Sequence, residues 1–142
     1  MWRHILTVVA VLFTGSVAAE QKKVFGDYEV HYNALNSSTL TPEVAKQYGL
    51  TRGANQGLVN IAVRKRDGND GVATAAVISG SVRNLLSQKN ELKFKEIKEG
   101  AAIYYIASFR FDDKDTLTFD LTVQPEGGAS YPLTFNQMLW VQ

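Results

Sequence analysis

The sequence predicts an all-β fold: an immunoglobulin-like antiparallel two-sheet sandwich of about seven strands, with one short helix between the first two strands. Three observations predict it. Apolar and polar residues alternate over short runs, most clearly in LVNIAVRKR (58–66) and TLTFDLTV (116–123). Turn chemistry separates the runs at intervals of roughly 10–15 residues. A single stretch, HYNALNSSTLTPEVAKQYGLTR (31–52), interrupts the alternation with polar residues and a helical signature. A small antiparallel barrel is the architectural alternative.

The chain has 142 residues and opens on MWRHILTVVAVLFTGSVAAEQ. Arg3 and His4 precede an apolar run from Ile5 to Phe13, and Val17-Ala18-Ala19 forms a small-residue cleavage pattern. That order is the signature of a secretory signal peptide. The run falls well short of the roughly 20 residues that a membrane span requires. We therefore expect a signal peptide over 1–19, cleavage after Ala19, one β-sandwich domain over 20–142, and no transmembrane span in the mature chain. The absence of cysteine excludes an acylated-cysteine anchor and a disulfide framework, and fits a bacterial periplasmic protein.

Residues 24–35 form the first expected strand, with Gly26-Asp27 as a bend. Thr41-Pro42-Glu43 then supplies a hydroxyl cap, a proline at the first helical position and an acid in the first turn. With Gly49 as the stop, the helix spans 42–48 and lays Val44, Ala45, Tyr48 and Leu50 on the sandwich as a plug. Val59, Ile61 and Val63 share one face of the next strand, which ends at the turn 67–71. Residues 72–84 make a small-residue strand in which Gly80 marks a close approach. In 90–100, Leu92 and Phe94 point inward and a register shift brings in Ile97. Ile103, Tyr105, Ala107, Phe109 and Phe111 then align on one face, as do Leu117, Phe119, Leu121 and Val123. The last strand, YPLTFNQMLWV, reaches the core through Leu133, Phe135, Leu139 and Val141, given a slip near Gln137.

Charge and composition exclude more than they specify. The chain carries 15 Lys+Arg against 14 Asp+Glu, and Arg3 is the one of these in the leader. The mature chain is formally neutral, so a nucleic-acid partner, which calls for a basic excess, is not expected. Thiol catalysis and thiolate metal sites are excluded, and His31 is the single histidine beyond the leader. A hydrolase would have to pair His31 with a carboxylate such as Glu96 or Glu99, and no GxSxG elbow accompanies it. We expect no enzyme activity, no catalytic or metal residues and no cofactor. The expected function is a periplasmic interaction or adaptor domain that docks another envelope protein, with a small-ligand binder as the alternative.

Six residues are candidates for recognition. His31, Asn33, Tyr48 and Arg52 make the 31–52 segment more polar than a plug requires. Tyr104 and Trp140 fall opposite the main apolar face of their strands. They are either exposed as a partner surface or covered by the helix or a loop. The C-terminal strand is a candidate free edge for a partner strand.

The stretches FGDYEVHYNALNSSTLTPEVAKQYGLTR, GLVNIAVRK and VRNLLSQKNELKFKEIKEGAAIYYIASFRF resemble a family of proteobacterial exported proteins known as domain of unknown function 4426. The resemblance runs from about Phe25 to Trp140. It implies a single periplasmic β-sandwich and brings no reaction, ligand or catalytic residue.

Overall fold

The computed structural model describes residues 21–67 and 71–141. The leader expected over 1–19 and most of the turn expected at 67–71 lie outside the described residues. Among these residues ten strands form two sheets. The larger contains β1 (Gln21–Phe25), β2 (Tyr28–Asn36), β3 (Gln56–Lys65), β8 (Ala102–Arg110) and β7 (Lys95–Glu99) in that spatial order, with the short β4 (Val72–Ala73) beside the end of β3. The smaller runs β10 (Tyr131–Leu139), β9 (Asp115–Pro125), β5 (Ala76–Arg83), β6 (Lys89–Glu91). Every pairing is antiparallel.

The expected two-sheet antiparallel sandwich is what the chain forms, with more strands than the pattern showed. The first expected strand is a hairpin, because Gly26 takes a left-handed φ of 57° and folds β1 back on β2. The helix consequently follows the first hairpin. Two further expected strands are each two strands in different sheets. The chain leaves β4 in the large sheet and enters β5 in the small one within two residues. It returns between β6 and β7, and Leu92 is held at that crossing by its N–H on the Gly80 carbonyl, 2.9 Å away. The apparent register shift before Ile97 is this change of sheet. The slip expected near Gln137 does not occur, since Leu133, Phe135, Gln137 and Leu139 continue one regular alternation.

Between the sheets, Phe119 is the centre of the packing. Its ring stacks on Phe135 at 4.7 Å and meets Phe109 edge-on at 5.3 Å. Val30, Val59, Ile61, Val63, Val123 and Leu133 close around it. At Gly80 a side chain would collide with the Asp120 carbonyl, so β5 can lie against β9 only with glycine there.

A second apolar layer lies on the outer face of the large sheet. Helix α1 (Pro42–Tyr48) is capped by Thr41, whose Oγ1 accepts the Val44 N–H at 3.2 Å, and stopped by Gly49 at φ 67°. Val44, Ala45 and Leu40 pack on Leu58, Ile97, Tyr104 and Ile106. Strand β3 is thus buried on both faces.

Phe119→Ala should lower the unfolding free energy by about 3–5 kcal/mol, because a fully buried ring would leave a cavity walled by two other rings. Urea denaturation followed by tryptophan fluorescence measures it.

Candidate functional site

The polar residues of the 31–52 segment divide between structural ties and a half-buried strip on β2. Asn36 is buried, and its amide donates to the carbonyls of Ala54 (3.2 Å) and Trp140 (2.9 Å) while its Oδ1 accepts the Ser38 N–H. Ser37 and Gly53 exchange two hydrogen bonds of 3.0 and 3.1 Å. Arg52 donates from Nε to the Leu40 carbonyl at 2.7 Å and from Nη2 to the Ser38 carbonyl at 3.3 Å. These bonds hold the loop before α1 against the loop after it. Tyr48 donates to Glu99 at 2.7 Å, and Lys95 donates to the Tyr48 carbonyl, fixing the end of α1 to β7. Burial and the Glu99 carboxylate raise the Tyr48 hydroxyl pKa. Arg52 and Tyr48 therefore anchor the helix, which accounts for their place in the segment.

His31 and Asn33 lie on the outer face of β2, opposite Ala62 and Asn60 of β3. His31 Nε2 lies 2.6 Å from Glu29 Oε1, with Lys22 and Arg66 each 4.0 Å from the same carboxylate. Partial burial works to raise the Glu29 carboxyl. The His31 hydrogen bond and charge, with Lys22 and Arg66, outweigh it and hold the group below its ordinary value of 4.5. Beside this strip, Asn60 is 1% exposed and neither atom of its amide has a hydrogen-bond partner, at a cost of about 1–3 kcal/mol.

Tyr104 is covered, not exposed: α1 lies over it, and burial raises its hydroxyl pKa. Trp140 has the opposite fate. Its carbonyl is tied to Asn36 and the next N–H to Asp113 Oδ1 at 2.8 Å, yet its side chain stays 52% exposed. The two aromatics do not form one patch.

A further feature, absent from the six candidates, lies at the same end of the sandwich as Trp140. The turn between β5 and β6 is built on Asn84, whose Oδ1 accepts the N–H groups of Leu86 and Gln88, both at 3.0 Å, and whose amide donates to Gln88 Oε1 at 2.7 Å. Ser87 completes the turn at φ 63°. Between these bonds Leu85 and Leu86 stand 78% and 79% exposed. Strand register places Met138 beside Thr116, and Thr118 beside Arg83, so Met138 and Leu85 lie at the same level of the small sheet. Leu85, Leu86, Met138 and Trp140 thus gather at one end of the sandwich. Between the turns at that end is a cleft of about 200 Å³ floored by Phe111 and Leu117 and rimmed by Arg83, Arg110, Asp112 and Asp115. Arg83 is ion-paired with Asp120. The legible signal was a Leu-Leu pair inside hydrogen-bonding turn residues.

Among the described residues no group of three or more histidine, cysteine or carboxylate side chains is placed to hold a metal ion. No described helix is long and apolar enough to cross a membrane.

Two antiparallel sheets with a helix after the first strands define the class, and the comparisons place the chain within it. It belongs to the family described as domain of unknown function DUF4426, whose model matches residues 22–142. It is similar to the crystal structure of a DUF4426 family protein from Pseudomonas aeruginosa PAO1, with 33% identity, a TM-score of 0.77, and coverage of 88% of this chain and 98% of that one. It also shares its fold with FetP of uropathogenic E. coli strain F11, isolated after recombinant expression in the periplasm. That likeness has a TM-score of 0.64 and 13% identity over 87% of this chain and 95% of that one. A copper-bound variant of FetP aligns at TM-score 0.59 and 12% identity, covering 87% and 92% of the two chains. No curated protein matches the chain.

Arg52→Ala should cost about 1–3 kcal/mol in chemical denaturation, the loss of charged donors from two carbonyls. Glu29 contributes stability that is complete above its ordinary value of 4.5 and is lost as pH falls through its depressed folded value. A thermal-melting series should therefore show Glu29→Gln with a lower Tm at neutral pH and a shallower decline in acid than the parent.

Proposed function

We propose that this chain is a non-enzymatic periplasmic docking domain that binds another envelope protein through the end of the sandwich carrying Leu85 and Leu86. The observation that carries this reading is the way those side chains are held. Burying a leucine is worth roughly 1.5–3 kcal/mol, and here a turn locked by the Asn84 side chain keeps two of them in solvent. Such a rigid apolar projection suits a partner surface, because little ordering entropy remains to be lost on binding. The neighbouring cleft, with charges of both signs on its rim, suits one side chain of the partner. It is smaller than the roughly 300 Å³ at which small-molecule pockets begin.

The placement of the titratable groups supports a non-enzymatic role. Glu96 and Glu99 lie on opposite faces of β7, Glu96 accepting from Tyr105 at 2.8 Å and Glu99 from Tyr48 at 2.7 Å. Burial and the Glu96 carboxylate push the Tyr105 hydroxyl up to about 12, against the Ala76 N–H that it accepts. His31, on β2, is separated from both carboxylates by β3 and β8. A periplasmic setting rests on the leader-like residues 1–19, and FetP was expressed in that compartment. The copper of the FetP variant suggests a metal-binding alternative, but that likeness supports the fold alone.

A photoreactive amino acid at Leu86, introduced into the full chain expressed in its own cells, tests the proposal. One dominant crosslinked protein is expected, and Leu85→Asp combined with Leu86→Asp should abolish its capture while leaving the melting temperature unchanged. No protein adduct above that of a photoprobe at exposed Val77 would sink the reading and favour a small ligand.

A further inference from the structure

We infer that β10 is a self-pairing edge, and that two copies of this chain join through it into one continuous eight-stranded sheet. The inference goes beyond the docking role of Leu85 and Leu86 and rests on a different surface. Among the described residues five strands pair on one side only: β1, β4 and β7 in one sheet, β10 and β6 in the other. Four carry the usual protections against strand addition, β4 by being only two residues long. β1 holds Lys22 and Lys23, β7 holds Lys95, Glu96, Lys98 and Glu99, and β6 is three residues long with Lys89 and Glu91. β10 spans nine residues, YPLTFNQML, without one charge. Its sole edge breaker is Pro132, at the far end.

Pro132 also sets the geometry. Proline in a sheet sits where its missing N–H points away from the neighbouring strand. By alternation Thr134, Asn136 and Met138 then direct their backbone N–H and C=O groups away from β9, toward the open edge. A two-fold axis at Asn136 pairs these residues with themselves: Asn136 meets its counterpart, and Thr134 of one copy meets Met138 of the other. Trp140 comes to lie beside Pro132 of the second copy. The exposed side chains of Met138 (42%) and Trp140 (52%) are thereby covered, whereas Leu85 and Leu86 remain outside.

Charge fits the same axis. Phe25 stacks on Tyr131 at 4.9 Å and Tyr32 meets Phe135 at a tilt, 4.5 Å between centroids, so the β1–β2 hairpin lies beside the first half of β10. The two-fold sets that half against the last half of the other β10. Lys23 of each copy, whose Nζ lies 5.7 Å over the Phe25 ring, is brought toward the end of the other copy where Asp113 accepts the Val141 N–H. The two β1 strands fall on opposite sides of the axis, so their lysines do not confront one another.

The test uses the full chain, expressed and purified as the processed protein. Light scattering after size exclusion should give twice the monomer mass, falling to the monomer at low concentration. Because the chain has no cysteine, Asn136→Cys places one thiol against itself at the roughly 5.5 Å Cα spacing that a disulfide spans. Mild oxidation should convert it to a dimer that survives denaturing electrophoresis, while Val77→Cys, two strands away, should form no covalent dimer. Thr134→Pro should leave a melting monomer of native stability with the dimer lost, and the Leu85→Asp, Leu86→Asp double variant should still dimerise. A wild-type monomer at every concentration, equal crosslinking of the two cysteine variants, or a dimer that survives Thr134→Pro would each overturn the inference.

Discussion

The two-sided burial of β3 is the constraint on which the other features depend. Its Val59, Ile61 and Val63 enter the core between the sheets, while Leu58 and its outer neighbours lie beneath α1. A strand covered on both faces needs two separate lids. The small sheet supplies one, and the loop–helix–loop between β2 and β3 supplies the other. The hydrogen bonds of Asn36, Ser37 and Arg52 follow from that need, since seven helical residues could not hold their place by packing alone. The polar character of the segment is the cost of pinning a short helix to a sheet.

This division of labour explains what could be read in the sequence. Alternation in β9 and β8 named the inward residues correctly because each strand has one face dominated by large apolar groups. The helix was legible from Thr41, Pro42 and Gly49, whose chemistry is local. The sheet changes between β4 and β5 and between β6 and β7 were not, because alternation reports which side chains point inward and is silent about which sheet they belong to. Tyr104 was ambiguous for the same reason: an outward-facing aromatic has the same pattern whether or not a helix covers it. Asn60 could not be found at all, since only its neighbours across two strands reveal that its amide is enclosed.

The site shows the sharper limit. His31, Asn33, Tyr48 and Arg52 were selected as polar residues in an odd place, and the geometry assigns two of them to anchoring. Leu85 and Leu86 were overlooked because apolar residues in a connection are commonly folded inward. Their exposure goes with the turn built on Asn84, whose side chain accepts the N–H groups of Leu86 and Gln88 and so fixes the backbone that carries them. Apolar surface held rigidly in water and polar backbone held rigidly at an uncharged edge are two versions of one property: the molecule keeps bonding capacity that its own fold does not use.

The path of the chain between the sheets carries a kinetic consequence. β3 pairs with β8, and β5 with β9, across intervening segments that in each case include two strands of the opposite sheet. Neither sheet can be completed from neighbouring segments, so long loops must close before the central contacts repay their entropy. Topologies of this kind fold in milliseconds to seconds, far more slowly than helix or hairpin formation. A newly made chain of this design stays open for a comparatively long time. With no cysteines to oxidise, that wait involves no disulfide and ends with strand pairing alone.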